Sequence, residues 1–432
     1  VLAPGHFGGR AGRSTTDANL FLCSWINNKW RQNKTVSALF LDVKSAFPSL
    51  IKEQLIRILI NKNCPQYITS IINSFLSDRT TSMRLEEFIS DPFKLKCGLP
   101  QGSPLSPILY IIYNSGLLSP NEIDLNQDQI SLGFIDDVVH LSAHVNINDS
   151  IEILQQRGAS SLEWGSHHNA IFDQNKTSFM IFSNKQLQQN LSINFGDSII
   201  QKCTSTKYLG IIFDSKLSFI EHYKKIKKTG ESTIDQLIRI NRCSFGLNIE
   251  GAKNLIISIL FPRIFYGAPV WFTNKRKKKF STMLNTILNK AIRITLGVFK
   301  STPTIILNRE SPFNDLESIL SKQIQLLFIK KLSFPPNHPI KNLITSELTN
   351  LPNKHLSSIH DVNKNHLFSH FNWKILETIQ LHPVPPWFSF SLIIKNLNLS
   401  KINCTNIIKN QLSDLKNKKE LIIFTDGSLI PD

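Results

Sequence analysis

Two adjacent aspartates sit inside an apolar run, the segment "SLGFIDDVVHLSA" at residues 131–143. A carboxylate taken out of water without a partner is costly, and two side by side cost more. A fold that keeps Asp136 and Asp137 here has two ways to do it. It can set them at a tight hairpin turn, whose geometry Asp tolerates, with a strand on either side. Or it can hold them beside a divalent ion whose charge neutralises the pair. The segment alone leaves both open.

Asp42 bears on the choice. It ends the run "SALFLDV" at residues 37–43, which reads as a buried strand. Capping a following helix would use an Asp in the same place. A hairpin turn and a separate strand end can, however, meet at one edge of a sheet. Three carboxylates there would hold two divalent ions about 3.5–4 Å apart, an arrangement suited to in-line phosphoryl transfer. Mg²⁺ suits such a site because it takes oxygen ligands and shares them with substrate phosphates. Mn²⁺ is the alternative.

Between the acids lies "CGLPQGSPLSPILYIIYNSGLL", residues 97–118. Its first eleven residues hold two Gly, three Pro and two Ser, which make a rigid loop ahead of an apolar helix. Gly98 and Gly102 let backbone come close to a ligand, and Gln101 can hydrogen-bond a base or a sugar edge. An ordinary helix-entry loop is the simpler reading, but a cap requires fewer special residues.

The charge is sorted along the chain. Over all 432 residues the net charge is +17, a footprint for nucleic acid or another anionic surface. Residues 201–300 carry 19 Lys and Arg against 5 Asp and Glu, whereas residues 41–140 carry 8 against 11. An acidic centre followed by a basic segment fits a protein that binds metal at one place and phosphates at another. The six cysteines show no C-x-x-C spacing, which argues against zinc or a disulfide scaffold and fits a reducing compartment. Lacking an initiator Met, a signal peptide and an 18-residue apolar run, the sequence reads as a piece of a longer intracellular protein, nuclear and cytoplasmic, without a membrane span.

Periodicity fills in the elements. A helix over Ala18–Trp30 is expected, capped by Thr16 or Asp17. Helical spacing follows at Pro48–Ile60, Gln66–Leu76 and around Ile147–Trp164, with a strand at Ser178–Phe182 and a strand or hairpin at Lys207–Asp214. Residues 219–335 read as mostly helical. The span 335–420 yields no clear assignment, and Leu421–Ser428 reads as one last strand.

Taken in order, these segments resemble the reverse transcriptase of non-LTR (LINE-type) retrotransposons. "FLDVKSAF", "GLPQGSPLSP" and "GFIDDVV" resemble its three principal catalytic motifs, and "FDQNKTSFMIF" (172–182) resembles the lysine-bearing motif that follows. "KYLGIIFDSKLSF" (207–219) resembles the hairpin that grips the primer end, "HFGGRAGRSTTDA" resembles the segment ahead of the first motif, and "FTDGS" resembles the first strand of an RNase H domain.

The resemblance implies an α+β right-hand polymerase with a palm of β-α-β-β-α-β type, a helical thumb and a C-terminal helical connection. Residues 1–36 would be a remnant of the fingers and 37–206 the palm. Residues 207–335 would hold the primer-grip hairpin and basic thumb, 336–420 a connection or linker, and 421–432 the start of a truncated RNase H domain. Asp42, Asp136 and Asp137 would be catalytic metal ligands for two Mg²⁺ ions. Phe47 would exclude a 2′-hydroxyl, although a core Phe beside Ala46 is the plainer reading. Gly98, Pro100, Gln101 and Gly102 would line the nucleotide pocket, and Lys176 could protonate pyrophosphate, although a solvated lysine is the commoner case. Tyr208, Leu209 and Gly210 would touch the primer. Lys275, Arg276, Lys277, Lys278 and Lys279 would contact nucleic acid, unless they form a solvated face or an import signal.

The implied activity is RNA-directed DNA synthesis on an RNA template and DNA primer with dNTPs. Ile135 and Phe47 argue against a viral-type RNA-dependent RNA polymerase. The remaining alternative is a catalytically inactive palm that binds RNA or RNA–DNA duplex. The family's triphosphate clamp would lie upstream of Val1, so weak activity is expected unless Arg10 and Arg13 substitute. Asp426 would be the first RNase H carboxylate, and no RNase H activity is expected without the others.

Overall fold

The computed structural model describes residues 2–118, 124–185, 190–240, 246–349, 354–363 and 375–379. The expected strand at 421–428 and most of the 336–420 span lie outside these residues, as does the side chain of Lys279.

The centre is a six-stranded sheet. In spatial order it runs Ser192–Phe195, Ser198–Cys203, Ser178–Phe182, Thr35–Leu41, Asp137–His144 and Gln129–Phe134. Only the pairing of Ser178–Phe182 with Ser198–Cys203 is parallel. Four of the strands, with helices between them, form the β-α-β-β-α-β unit that the resemblance implies, its strands in the spatial order 4-1-3-2. The helices Lys52–Asn61, Gln66–Leu76 and Leu105–Tyr113 lie in the first crossover, and Ile147–His167 makes the second.

Alternation along the strands splits the core in two. Leu39, Leu41, Val138, Phe179 and Ile181 point to one face, with Leu109 and Tyr110 and with Leu154 from the crossover helices. Val36, Ala38, Phe40, Val139, Leu141, Met180 and Phe182 point to the other, where they meet Leu22, Trp25 and Ile26. These last belong to the helix Thr15–Arg31, capped by Ser14, whose Oγ accepts from the Asp17 amide. The expected start was three residues late because Asp17 lies inside the helix, buried and turned towards Lys331.

Beyond the sheet, Ser205–Tyr208 and Ile211–Asp214 form a separate hairpin. Then come the helices Ile220–Ile240, Ile249–Leu255, Asn274–Leu296 and Leu316–Leu332, so that residues 219–335 are mostly helical as expected. Among the described residues no helix is long and apolar enough to cross a membrane.

Two buried polar groups fix how these layers meet. Lys331 Nζ lies 2.6 Å from Asp17 Oδ2, with side chains 6% and 0% exposed, and donates to the Gly12 carbonyl at 2.8 Å. Under the sheet, the His140 ring sits between Ser131 Oγ at 2.7 Å and Ser161 Oγ at 2.9 Å. Burial holds the His140 pKa down to about 3, so the ring is neutral in the folded chain.

Lys331→Met should cost about 3 kcal/mol in urea unfolding, because it leaves the buried Asp17 carboxylate unpaired. Adding Asp17→Asn should recover part of that loss, and a double variant no more stable than the single one would mean that the two groups are not coupled. For His140, the unfolded chain takes up a proton near pH 6.5 that the folded chain refuses. Its contribution is therefore full above pH 6.5 and falls by up to about 1.4 kcal/mol per pH unit as the pH drops towards 3. His140→Gln should remove that part of the slope between pH 6 and 4, and an unchanged slope would show that the ring is not buried in its neutral form.

Candidate active site

Asp42 follows the Thr35–Leu41 strand directly, and Asp137 opens the Asp137–His144 strand. The two strands pair antiparallel with Leu41 opposite Val138. One more step in that register sets Asp42 opposite Asp137. Directly opposed residues share a face, and here it is the face of Phe40 and Val139, away from the crossover helices. Asp136 sits in the two-residue turn, after Ile135 with φ 59°. The Asp-Asp pair thus forms the hairpin turn, and the turn brings Asp137 within reach of the charge of Asp42.

The carboxylates act on one another. Burial raises the pKa of Asp137 to about 6, with the charges of Asp136 and Asp42 adding to the effect. Burial also raises that of Asp136, again with Asp42 contributing. Three hard oxygen donors without enough positive charge suit a divalent cation. Among the described residues, however, no three His, Cys, Asp or Glu side chains are already spaced to chelate an ion. Lys176 Nζ lies 3.1 Å from Asp42 Oδ2, and the hydrogen bond to Asp42 raises the lysine's pKa. The Asp173 amide donates to the Asp42 carbonyl at 2.8 Å, which brings the turn carrying Lys176 beside the acid.

Asp42 and Asp137 open onto a cleft of about 530 Å³. Its walls include Asp42, Asp137, Lys176, Lys207, Leu209 and Gly210, so the separate hairpin faces the carboxylates. Lys207 is close enough to Asp137 to oppose the rise in its pKa. Tyr208 is buried, with its ring 5.4 Å from that of Phe40, which leaves Leu209 and Gly210 at the tip.

Phe47 and the Gly-rich loop form one piece. The Leu99 amide donates to the Phe47 carbonyl and the Gly98 amide to the Leu50 carbonyl, each at 2.8 Å. Gly98 has φ +92°, and a Cβ there would lie 2.8 Å from the Pro48 carbonyl oxygen. Nothing larger than glycine fits. The half-buried Phe47 ring stacks on Tyr110 at 5.2 Å, and Tyr110 feels the charge of Asp136. Phe47 is thus a core contact, and it is the ring it stacks on that feels the charge of Asp136. Gln101 and Gly102 are exposed, and Pro100 is half-buried.

Several positioning groups escaped the sequence reading. Ser106 Oγ donates to the Pro100 carbonyl at 2.6 Å, and Arg79 donates to the Gly98 carbonyl. Asn114 donates to the Ile135 carbonyl beneath the Asp-Asp turn. Gly8 packs there too: a Cβ on it would lie 2.5 Å from the Ile135 amide nitrogen. Of these, Gly8, in a glycine-rich segment, and Ser106, in the Gly-, Pro- and Ser-rich loop, left a trace in the sequence. Arg79 and Asn114 act on carbonyls about twenty residues away, where no local pattern marks them.

Arg10 and Arg13, the arginines that could substitute for an upstream phosphate clamp, donate to carbonyls of the N-terminal loop. Arg13 donates to the Pro4 and His6 carbonyls, each at 2.7 Å, and Arg10 to the Ala3 carbonyl at 3.1 Å. Burial lowers the pKa of Arg13 to about 9. The basic run 275–279 opens the Asn274–Leu296 helix. Arg276 lies over the Phe219 ring at 4.9 Å and Lys277 pairs with Glu317 at 2.8 Å, whereas Lys275 and Lys278 are exposed.

Comparison with known proteins agrees with this geometry. Residues 2–213 match the family described as reverse transcriptase (RNA-dependent DNA polymerase). The probable RNA-directed DNA polymerase from transposon BS of Drosophila melanogaster is 25% identical over 296 residues, 68% of this chain and 32% of that protein. The RNA-directed DNA polymerase from mobile element jockey of the same species is 24% identical over 318 residues, 72% of this chain and 34% of that protein. The chain thus spans about a third of the length of these relatives. A solved telomerase from Candida tropicalis, in complex with a fragment of telomeric RNA, aligns at a TM-score of 0.35 and 16% identity. The alignment covers 79% of this chain and 53% of that one, a likeness too slight to add to the assignment. Residues 2–213 belong to the reverse transcriptase family, in the branch carried by non-LTR retrotransposons.

Proposed function

We propose that this chain is the polymerase core of a retrotransposon reverse transcriptase. It would join dNTPs to the 3′-hydroxyl of a DNA primer on an RNA template. The observation that carries this reading is the meeting of Asp42 and Asp137 on one face of the sheet, with Asp136 in the adjoining turn, at a cleft whose opposite wall is the 205–214 hairpin.

Asp42, Asp136 and Asp137 would hold two Mg²⁺ ions. When bound, the ions would supply activation of the primer hydroxyl and neutralise charge on the leaving pyrophosphate. The chain's own groups do the rest. Lys176 stays protonated and has a proton to give to the leaving group. The Phe47 ring walls the sugar side of the pocket, and the 98–102 loop, tied to it, walls the base side with Gln101. Leu209 and Gly210 meet the primer end. The exposed Lys275 and Lys278 offer the thumb's phosphate contacts, a salt-dependent interaction.

One observation favours a second reading, a palm that binds RNA without catalysis: Lys176 occupies the Asp42 carboxylate, and the described acids are not spaced to chelate. The two readings differ in what a metal does. On the polymerase reading, millimolar Mn²⁺ raises the Tm of the chain and does not raise that of Asp137→Asn. Without metal, Asp137→Asn is itself the more stable by about 1 kcal/mol near pH 7.5, because a carboxyl whose pKa is raised by folding destabilises the fold once it ionises. Primer extension on poly(rA)/oligo(dT) with dTTP should need Mg²⁺ and fall at least about 10²-fold in Asp137→Asn. Extension that survives the substitution removes the carboxylates from the chemistry, and metal that stabilises neither protein supports the inactive reading.

Phe47→Ala should raise ribonucleotide incorporation relative to deoxynucleotide by about 10-fold or more, since shape alone separates the two sugars there. An unchanged ratio would return Phe47 to its packing role on Tyr110.

A further inference from the structure

The Leu209–Gly210 turn closes the hairpin with Tyr208 paired to Ile211. Both turn residues have positive φ, 42° and 85°. Such two-residue turns normally take Asn, Asp or Gly at the first position. Leucine there is strained, and strain of this kind persists only where surrounding contacts over-determine it.

Those contacts come from three directions. The Tyr266 hydroxyl donates to the Leu209 carbonyl at 2.9 Å and lies 2.7 Å from Thr15 Oγ1. Asn19 Nδ2 donates to the same carbonyl at 3.3 Å, and Lys225 Nζ donates to the Gly210 carbonyl at 2.9 Å. The Tyr266 ring also lies against the turn, since a Cβ on Gly210 would sit 2.7 Å from its Cε1. Tyr266 is itself held: its carbonyl accepts from Trp271 Nε1 at 2.8 Å. A Cβ on the next residue, Gly267, would lie 2.5 Å from Ile211 Cδ1. One hydroxyl thus joins the hairpin tip, the opening helix and the start of the thumb.

We infer that Tyr266 is a positioning residue for the primer end. It fixes the strained Leu209–Gly210 turn as a ledge across the cleft from Asp42 and Asp137 and registers that ledge with the thumb. The inference rests on the polymerase reading. It explains what a solubility or folding account leaves out, namely why a leucine occupies a position where asparagine would be unstrained. Its side chain stands at the cleft that the carboxylates share.

Two measurements on the full chain test it, using Tyr266→Phe, which keeps the ring over Gly210 and removes only the hydroxyl. Hydrogen exchange of the free chain should become about 10-fold faster across residues 208–212, through local opening of the turn, with the core strands unchanged. Exchange equal to that of the unaltered chain overturns the tie, whether or not the protein polymerises. The second measurement uses an RNA template annealed to a DNA primer with 2-aminopurine at its 3′ end. Tyr266→Phe should bind this duplex as tightly as the unaltered chain but show a more mobile terminus. Its extension rate should fall by about 10–100-fold at unchanged KM for dNTP, as a misplaced reacting group does. Equal binding with an equal terminus signal and equal extension overturns this inference alone. A chain that binds no primer–template overturns the polymerase reading and the role at the primer end with it.

Discussion

The antiparallel register between Thr35–Leu41 and Asp137–His144 is the constraint on which the rest depends. It places Asp42 opposite Asp137 and decides which way both carboxylates point. A slip of one residue would turn every side chain of one strand to the other face. Leu39 and Leu41 would leave the crossover helices, and Phe40 would leave Tyr208. Full burial of each such side chain contributes about 1.5–3 kcal/mol, so the apolar pattern that folds the sheet also holds the acids in place. The site has no separate scaffold.

The second constraint is the strap between Phe47 and the Gly-rich loop. Main-chain bonds from Gly98 and Leu99 to Leu50 and Phe47 join two segments about fifty residues apart. Ser106 and Arg79 hold the other side of the loop. Phe47 and the Gly-rich loop are therefore tied into one unit, and Gly98 is the residue that lets them approach. A side chain there would meet the Pro48 backbone, which has nowhere to go.

Charge is arranged in the same layered way. Burial, together with the charge of Asp42, raises the pKa values of Asp136 and Asp137, and cations border the cleft at Lys176 and Lys207. Other cations that looked free in the sequence are structural. Arg13 and Arg10 brace the N-terminal loop, Lys331 neutralises Asp17, and Arg276 covers Phe219. A basic total of +17 is thus a poor guide to which side chains meet phosphate. Burial and partners decide that residue by residue.

The sequence by itself determined the elements and their order. Apolar alternation marked the strands around Asp42 and the Asp-Asp pair, helical spacing marked the crossovers, and the motif order gave the palm and its family. It did so because periodicity and turn chemistry are local, and a linear string displays them directly. It also named the three acids, since a carboxylate in an apolar run is conspicuous wherever the chain later goes. What only the tertiary structure decided is which groups serve the site from a distance. Asp17 resembled a helix cap and is half of a buried ion pair, because Lys331 returns to it from 314 residues away. Tyr208 packs its ring on Phe40 and lines the cleft together with the strained turn beyond it, an arrangement set by strands far apart in the chain. Tyr266, Arg79 and Asn114 matter through backbone carbonyls that any residue possesses, so no side-chain pattern marks the partner. Such contacts exist only once the chain has closed on itself, and their physical cause is proximity that the fold creates.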